Sequence, residues 1–378
     1  MWNMVSTKKK IRVLHVAECA GGVERYLSGL FKYTNSENIE NIFICSQCYE
    51  SDKFVGLVHN IEKIEIEHDI GLRDISTVIK IVKIINKYKP DIVYAHSSKA
   101  GAVVRIANII TRKKCIYNPH GWAFNMCASK KKKLLYKFVE KTLAPYCDRV
   151  VCISDAEKKS AIKNKIVKEK KLKVIYNGID FEEYDNILNI ITKESLGIPE
   201  DAYVIGTVGR LTKQKSPDVF IKMAKLIKDK IPNAYFIMVG DGELKSDVID
   251  YAKKNNILDS LYITGWVEKP LEYISLFDVA VLLSRWEGFG LVIPEYMLCG
   301  KPVIATEIDA IPNIIRDGEN GLLVPPDNEE EASKAVYQVY CDNDLRKCLI
   351  MQAEKDVHIK YDIKRVASEH EELYYELI

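Results

Sequence analysis

AYVIGTVGRLTKQKSPDVFIKMAKLIKDKIPNAYFIMVGDG, residues 202–242, contains the pattern on which the predicted fold rests. It begins with an apolar run rich in β-branched residues, continues through a charged loop into an amphipathic stretch at residues 216–231, and ends with a second apolar run. Short apolar runs that alternate with helices of this length are typical of parallel strands covered on both faces. The segment therefore predicts a β–α–β unit.

The same alternation extends through most of the chain. In the first half, residues 10–18, 40–46 and 91–97 predict strands, and residues 21–34 and 74–89 predict helices. The sequence thus predicts an α/β protein with two doubly wound, Rossmann-like domains that face each other across a cleft.

A change of pattern separates the two predicted domains. Strand patterning is lost near residues 181–199, where turn-forming and charged residues accumulate. We predict a first domain over residues 1–185 and a second over residues 190–361. Ligands in such sheets bind at the carboxyl ends of the strands, so the loops that follow the strands are the candidate functional segments.

The overall composition excludes several classes of protein. The chain has 378 residues, 47% of them hydrophobic and 29% charged, which is typical of a globular protein. A formal net charge of +2 is too small to argue for nucleic acid through bulk electrostatics, although local basic patches remain possible, and we expect no nucleic acid as a partner. No apolar run approaches the ~20 residues that a membrane-spanning helix needs. The start of the chain enters a strand pattern without a secretory signal, and we expect a cytoplasmic protein.

Two short motifs could indicate a metal, and we interpret both as structural. Cys45 and Cys48 form a lone CxxC among ten cysteines, and buried free thiols are the favoured interpretation. The triplet from Asp342 to Asp344 falls between two predicted helices and is interpreted as a connecting turn. We therefore expect no metal and no other cofactor.

The loop GRLTKQKSPD, residues 209–218, has the composition of a diphosphate site. Gly209 and the cations of Arg210 and Lys215 precede a helix predicted to be capped by Ser216. Positive side chains and free helix amides at one strand end neutralise phosphate charge. Solvated loop charges are the alternative interpretation.

A second loop, within SRWEGFGLVIPEYMLCGKPVIA at residues 284–305, carries two carboxylates. Glu287 ends a predicted strand and Glu295 lies early in the next helix. Sugar hydroxyls donate hydrogen bonds, so two fixed carboxylates can each bind a diol. Alternatively, Glu295 only complements the helix dipole. The intervening loop, whose amides are candidate donors, consists of Gly288, Phe289, Gly290 and Leu291.

Further strand ends add weaker candidates. Gly21 and Gly22 suit either a phosphate-binding turn or an ordinary tight turn. Val267 follows a predicted strand where main-chain groups could bind a base, whereas the adjacent Trp266 is predicted to pack in the core. His120 follows another predicted strand and is placed in the site.

Several collinear motifs resemble one known family. EGFGLVIPE, residues 287–295, is similar to the E-x7-E signature of the family 4 glycosyltransferases of GT-B fold, and the resemblance spans nearly the whole chain. Supporting motifs are AGGVERYL, NPHGW, CISDAEK, VIYNGID, VGRLTKQKSPD, MVGDGE and NGLLVPPDN. The resemblance implies retaining transfer of a hexose-type sugar from a nucleotide diphosphate, with uridine as the expected base.

The resemblance also implies roles for single residues. Arg210 and Lys215 match the family's diphosphate clamp, Glu295 matches the carboxylate that binds the ribose, and Glu287 matches the carboxylate near the donor sugar. His120 matches the histidine that faces this sugar. Gly21 and Gly22 match the loop that closes over the phosphates.

The chemistry expected of these groups needs no metal. Negative charge on the leaving diphosphate would be held by Arg210, Lys215 and helix amides. Front-face attack, in which the departing phosphate helps to deprotonate the acceptor, suits this arrangement. Double displacement through Glu287 stays an alternative.

The acceptor side is less defined. Four consecutive lysines, Lys130 to Lys133, precede an amphipathic helix, a pattern that fits a surface docking on anionic lipid or an ordinary solvated face. We expect a lipid-linked or oligosaccharide acceptor, with His96, Ser97, Ser98 and Lys99 as candidate lining residues. By resemblance, the C-terminal helix at residues 362–378 packs back onto the first domain.

The chain departs from the family pattern in TEIDAIPNII, residues 306–315, where Asp309, Ala310 and Asn313 replace a glycine pair and a glutamate. Three rival functions stay open. They are a sugar-nucleotide epimerase or hydrolase of the same fold, a binding protein without catalysis, and a glycosidase that uses Glu287 and Glu295. The Arg210 and Lys215 loop argues against a glycosidase, because simple glycosides carry no phosphate.

Overall fold

The computed structural model describes residues 10–18, 22–47, 51–66, 71, 73–126, 129–185 and 191–378. The chain divides into two compact units, one formed by Met1–Gly178 with Ile363–Ile378 and the other by Ile179–Asp362. Each unit has one parallel sheet with helices packed against it. The predicted α/β fold with two Rossmann-like sheets is confirmed.

The first unit is built on a sheet of seven strands in the order β3-β2-β1-β4-β5-β6-β7. Its strands are β1 Ile11–Ala17, β2 Ile39–Ser46, β3 Asn60–Ile64, β4 Ile92–His96, β5 Lys114–Asn118, β6 Arg149–Cys152 and β7 Leu172–Val174. Its helices up to the junction are α1 Gly22–Tyr33, α2 Arg73–Tyr88, α3 Ser98–Thr111, α4 Lys130–Leu143 and α5 Asp155–Lys163.

The central strand of this sheet shows why the unit folds as it does. Successive side chains of β1 alternate between two faces. Leu14 and Val16 enter a core with α2 and α3, whereas Val13 and Ala17 enter a second core with α1. Both faces are therefore apolar, which explains the nearly continuous hydrophobic run in the sequence.

The second unit has a sheet of six strands in the order β10-β9-β8-β11-β12-β13. Its strands are β8 Tyr203–Val208, β9 Ala234–Val239, β10 Leu261–Ile263, β11 Val279–Leu282, β12 Val303–Thr306 and β13 Leu322–Val324. Its helices are α6 Glu182–Asp185, α7 Pro217–Lys228, α8 Lys245–Lys254, α9 Pro270–Ile274, α10 Val292–Leu298, α11 Ile311–Ile314, α12 Glu329–Cys341 and α13 Asn343–Lys360.

The last helix, α14 Ile363–Leu377, belongs to the first unit. Val366, Leu373 and Tyr374 are buried in the same core as α1. The two helices approach closely at Gly29, where a Cβ atom would lie 2.5 Å from Cγ1 of Ile363. A side chain at this position would clash with Ile363, so that residue or one of the helices would have to shift.

A buried ion pair fixes α4 against α3. The guanidinium of Arg105 donates to Glu140 Oε2 at 2.9 Å, and the two side chains are 1% and 5% exposed. Tyr117 donates to the other oxygen of Glu140 at 2.8 Å, and Arg105 also donates to Gly101 O at 2.7 Å. Both charges are thus fully partnered, as burial of an ion pair requires.

The structure describes most of the two motifs that could have indicated a metal. Asp342 accepts a hydrogen bond from the backbone of Leu345 at 2.9 Å and caps α13, so its interpretation as a helix connection is confirmed. Cys45 is a buried free thiol, and Cys48 lies outside the described residues. Within the described part of the chain, no helix is long and apolar enough to cross a bilayer.

Candidate functional site

The order of strands in the second unit brings the predicted loops together. Strand β8 lies between β9 and β11, and all three run parallel. Their carboxyl ends therefore share one edge of the sheet, at the point where the chain reverses its direction of winding. Crevices at such points are the usual ligand sites of doubly wound folds.

The loop after β8 is held by backbone hydrogen bonds to the loop after β9. Gly209 donates to Val239 O and Leu211 donates to Asp241 O, each at 2.9 Å. Gly240 permits this contact, since a Cβ atom there would lie 2.1 Å from Gly209 O. Ser216 occupies the N-cap position of α7 as predicted, but its side chain forms no capping hydrogen bond.

Glu287 is fixed at the carboxyl end of β11 by several contacts. Its Oε1 accepts hydrogen bonds from Ser284 Oγ, at 2.7 Å, and from the ammonium of Lys215. Its backbone N–H donates to Asp309 Oδ2 at 3.0 Å. The carboxylate is 6% exposed. The structure thus brings together the predicted lysine of one loop and the predicted acid of the other.

The two loops are joined by contacts that the sequence analysis missed. Arg285 forms a bidentate pair with Asp218, at 3.0 and 2.6 Å, and its backbone donates to Gln214 O at 2.8 Å. Gln214 Nε2 in turn donates to Trp286 O at 3.0 Å. These bonds fix the position of Lys215 relative to Glu287. Arg285, two residues before the signature glutamate, was a sequence signal for this contact.

The second glutamate lies deeper in the unit. Glu295 is 2% exposed in α10, and its neighbour Tyr296 accepts a hydrogen bond from Val208 N at 2.7 Å. Burial raises the pKa of the Tyr296 phenol. Tyr296 therefore fastens α10, the helix that carries Glu295, to the end of β8.

The loop between the glutamates has a conformation that depends on glycine. Gly290 has φ +85°, in the left-handed region that disfavours other residues. Phe289 is buried and its ring contacts Tyr361, with 5.7 Å between centroids. Gly288 and Leu291 are partly exposed. Phe289 thus anchors the loop by its side chain.

The remaining candidates of the second unit are more accessible. Arg210 is exposed and makes no ion pair with a described residue. Val267 is partly exposed. The prediction that Trp266 packs in the core is wrong, because this side chain is 74% exposed. It follows a short strand at the sheet edge, where no element covers it among the described residues.

His120 lies at the corresponding strand ends of the first unit, just after β5. Its Nε2 is 3.1 Å from Nδ1 of His96, and its ring contacts Tyr26 of α1 edge-on at 4.8 Å. Burial lowers the pKa of His120 to about 3, so the ring is neutral near pH 7. Gly22 is exposed at the first residue of α1, and Gly21 lies outside the described residues.

Three of the four predicted acceptor-lining residues make contacts within the first unit. His96 is fully buried, so the prediction that it lines an acceptor surface is wrong. Lys99 forms a buried ion pair with Asp74 at 2.6 Å. Ser97 caps α3 by accepting from Ala100 N at 3.3 Å. Polar residues at a strand end satisfy helix caps and buried charges as readily as they bind ligands.

Comparison with known proteins decides the family. The family model "Glycosyltransferase Family 4" matches residues 20–183, and the model "Glycosyl transferases group 1" matches residues 189–356. The UDP-Gal:alpha-D-GlcNAc-diphosphoundecaprenol alpha-1,3-galactosyltransferase of Escherichia coli is 32% identical over 90% of this chain and 91% of its own length. The chain belongs to the family 4 and group 1 glycosyltransferases.

Other relatives of this glycosyltransferase agree with the assignment. The capsular polysaccharide biosynthesis glycosyltransferase CapM of Staphylococcus aureus is 25% identical over 97% of both chains. The crystal structure of HepE from Anabaena, in complex with UDP and glucose, superposes with a TM-score of 0.84 at 21% identity and covers 97% of this chain and 100% of its own. That likeness supports the fold of the transferase.

Proposed function

We propose that this glycosyltransferase moves a hexose from a UDP-sugar to a lipid-linked glycan, with retention of anomeric configuration, in the synthesis of a bacterial surface polysaccharide. Two relatives support the substrate classes. The Escherichia coli relative is named for UDP-Gal and for an acceptor on diphosphoundecaprenol, and CapM is named for capsular polysaccharide biosynthesis. Retention follows from the resemblance of EGFGLVIPE to the family signature.

The observation that carries the proposal is the pair formed by Lys215 and Glu287. Ser284 and Asp309 hold Glu287 while Lys215 contacts only one of its oxygens, Oε1. Oε2 accepts no hydrogen bond within the described part of the chain, so it is available to a sugar hydroxyl. One ammonium and one carboxylate at the same strand edge can then bind the two ends of a sugar–phosphate linkage.

In the proposed reaction, negative charge develops on the leaving diphosphate, close to the cations of Lys215 and Arg210. As the bond between the anomeric carbon and the phosphate oxygen breaks, the leaving diphosphate gains negative charge. Lys215 and the exposed Arg210 stabilise that charge, and the departing phosphate oxygen takes the acceptor's proton as its hydroxyl attacks the same face. Glu287 holds the donor sugar and Glu295 holds the ribose. With cations supplied by the protein, we propose that transfer needs no metal.

The direct test is a transfer assay with defined substrates. The purified chain is incubated with a panel of UDP-sugars and a synthetic acceptor that carries GlcNAc on a lipid diphosphate, and the product is identified by mass spectrometry. NMR coupling at the new anomeric carbon then reports its configuration. We expect an α-linked hexose on the acceptor. An inverted product would refute the retaining mechanism, and no product with any member of the panel would refute the proposed substrates.

The same assay separates the competing functions. An epimerase or hydrolase turns over the donor when no acceptor is added. A binding protein without catalysis retains the donor unchanged in either case. We expect release of UDP to depend on the acceptor, with donor hydrolysis at most a few per cent of transfer.

A lipid-linked acceptor requires access to a membrane surface, which we propose that α4 provides. Ser129 caps this helix, which begins with the predicted lysines Lys130 to Lys133. Farther along, Leu134, Leu135 and Phe138 are 70%, 50% and 66% exposed. Apolar side chains beside a basic cluster suit the interface of an anionic bilayer, where the rings and chains enter the acyl boundary and the lysines bind headgroups. We propose that the reaction takes place at the cytoplasmic face of the membrane, as the sequence analysis expects.

Vesicle flotation tests this surface. The variant Leu134→Ser/Phe138→Ser should lose most of its binding to vesicles that contain phosphatidylglycerol, because two of the exposed apolar anchors are removed. Neutral phosphatidylcholine vesicles should bind the unmodified chain weakly. The matched control is Ile75→Ser/Ile79→Ser, whose side chains are 62% and 51% exposed on a different helix, α2. Equal flotation of both variants would contradict docking through α4.

A further inference from the structure

A row of buried imidazoles crosses the sheet of the first unit and ends at His120. His15 Nε2 lies 3.1 Å from Asn41 Oδ1, His15 Nδ1 lies 3.1 Å from His96 Nε2, and His96 Nδ1 lies 3.1 Å from His120 Nε2. His15 and His96 are fully buried and Asn41 is 7% exposed. The row thus connects a buried amide to the histidine proposed to face the donor sugar.

The sheet register explains how four residues far apart in sequence form one row. Strands β2, β1, β4 and β5 are consecutive neighbours in the sheet. Asn41 pairs with Val13, two residues before His15, and His96 pairs with Ala17, two residues after it. From each strand to the next, the residue of the row is shifted by two positions along the strand direction. Because side chains two positions apart lie on the same face of a sheet, the four side chains share one face and meet diagonally.

Each ring in the row carries a single ring proton. Burial lowers the pKa of His15 and of His120 to about 3, and it lowers the pKa of His96 well below its usual value. A neutral imidazole has one nitrogen that donates and one that accepts. The direction of the first hydrogen bond therefore determines the direction of all the others.

Asn41 sets that direction. Its Oδ1 can only accept, so His15 must carry its proton on Nε2 and accept at Nδ1. His96 must then donate from Nε2 to His15 and accept at Nδ1, and His120 must donate from Nε2 to His96. What remains at the end of the row is the unprotonated Nδ1 of His120.

We propose that Asn41, His15 and His96 are positioning residues that hold His120 in its Nε2–H tautomer, so that Nδ1 accepts a hydrogen bond from a substrate hydroxyl. This inference rests on the proposed function, together with the family resemblance that matches His120 to the histidine facing the donor sugar. Nδ1 of His120 makes no hydrogen bond within the described part of the chain. The row orients the ring and does not conduct protons, because it ends on an amide oxygen, which is too weak a base to take one.

A nearby histidine provides an internal reference of opposite polarity. His370 Nδ1 donates to Val366 O at 2.7 Å, so its Nε2 is the accepting nitrogen, which lies 2.8 Å from the hydroxyl of Tyr26 and 3.0 Å from that of Tyr94. A backbone carbonyl oxygen can only accept, so the ring proton of His370 must lie on Nδ1. The tautomer of His370 is thus the reverse of that inferred for the row.

Long-range ¹H–¹⁵N NMR on the full chain labelled with ¹⁵N-histidine tests the inference without any substrate. We expect Nε2–H signals for His15, His96 and His120 and an Nδ1–H signal for His370, with assignments from single histidine-to-glutamine variants. A proton on Nδ1 of His120 would overturn the inference. Because this measurement needs neither donor nor acceptor, it stands or falls separately from the proposed reaction.

Two variants of Asn41 test the positioning role. Asn41→Leu removes the hydrogen-bond acceptor of His15, so we expect His120 to populate both tautomers. We expect kcat for sugar transfer to fall about tenfold, which is the order of the loss from one misaligned hydrogen bond, and KM for the donor to change little. Asn41→Asp keeps an acceptor oxygen and should retain the Nε2–H tautomer and most of kcat. An unchanged His120 tautomer in the folded Asn41→Leu variant would refute the positioning role. If that variant does not fold, the tautomer measured in the unmodified chain tests the inference.

Discussion

Replacing Lys215 with alanine should affect stability and catalysis by different amounts, and both can be worked from its contact with Glu287. The side chains of this ion pair are 21% and 6% exposed. Removal of the ammonium leaves a buried carboxylate with Ser284 Oγ, at 2.7 Å, as its side-chain donor. Breaking a buried pair costs ~3–5 kcal/mol and an exposed pair ~0–1 kcal/mol. We expect the free energy of unfolding to fall by about 2 kcal/mol, between these limits.

The catalytic loss should be larger than this. If Lys215 binds the leaving diphosphate, its removal takes away a preorganised charge at the place where negative charge develops. Loss of one such group typically lowers kcat by ~10²–10³. Urea unfolding followed by tryptophan fluorescence measures the first effect, and acceptor-dependent release of UDP measures the second.

Two further variants separate the effects. Lys213→Ala is the matched control, because Lys213 is an exposed lysine of the same loop, and it should alter neither quantity appreciably. In Lys215→Ala/Glu287→Gln the buried charge is gone, so most of the lost stability should return while transfer stays impaired. Transfer by Lys215→Ala at the rate of Lys213→Ala would refute the proposed clamp.

Three more outcomes are expected. Glu140→Ala leaves the Arg105 guanidinium, which is 1% exposed, without its carboxylate partner, and should lower the free energy of unfolding by ~3–5 kcal/mol in urea titrations. The control Lys141→Ala, at an exposed position, should not lower it. Burial raises the pKa of Glu157 to about 8, so the folded state holds a proton that the unfolded state releases near pH 4.5. The free energy of unfolding should therefore decline as the pH rises from about 5 to 8, by at most ~1.4 kcal/mol per pH unit. The variant Glu157→Gln should flatten that slope. Treatment with EDTA should leave transfer intact, and a loss of activity restored by a divalent cation would overturn the metal-free proposal.

Much of the candidate site could be predicted because local patterns carry it. Glycine and proline mark the strand ends, and the cations and acids that follow them lie on loops whose common edge is dictated by parallel pairing. Arg210, Lys215 and Glu287 were identified in this way, and the resemblance of several collinear motifs to one family implied roles for them. Solvent exposure was harder to infer, as Trp266 illustrates, because a sheet-edge position leaves no mark in the local sequence.

The sequence by itself determined the alternation of strands and helices and the two-sheet architecture, and it singled out the loop at residues 209–218 as the candidate diphosphate site, since these depend on periodicity and on local turn chemistry. Only the tertiary structure decided which polar side chains meet. The contacts of Glu287 with Lys215 and Asp309, and the row from Asn41 to His120, join residues from different strand ends. Such contacts depend on strand order and register, which long-range packing fixes and which no short segment of the sequence records.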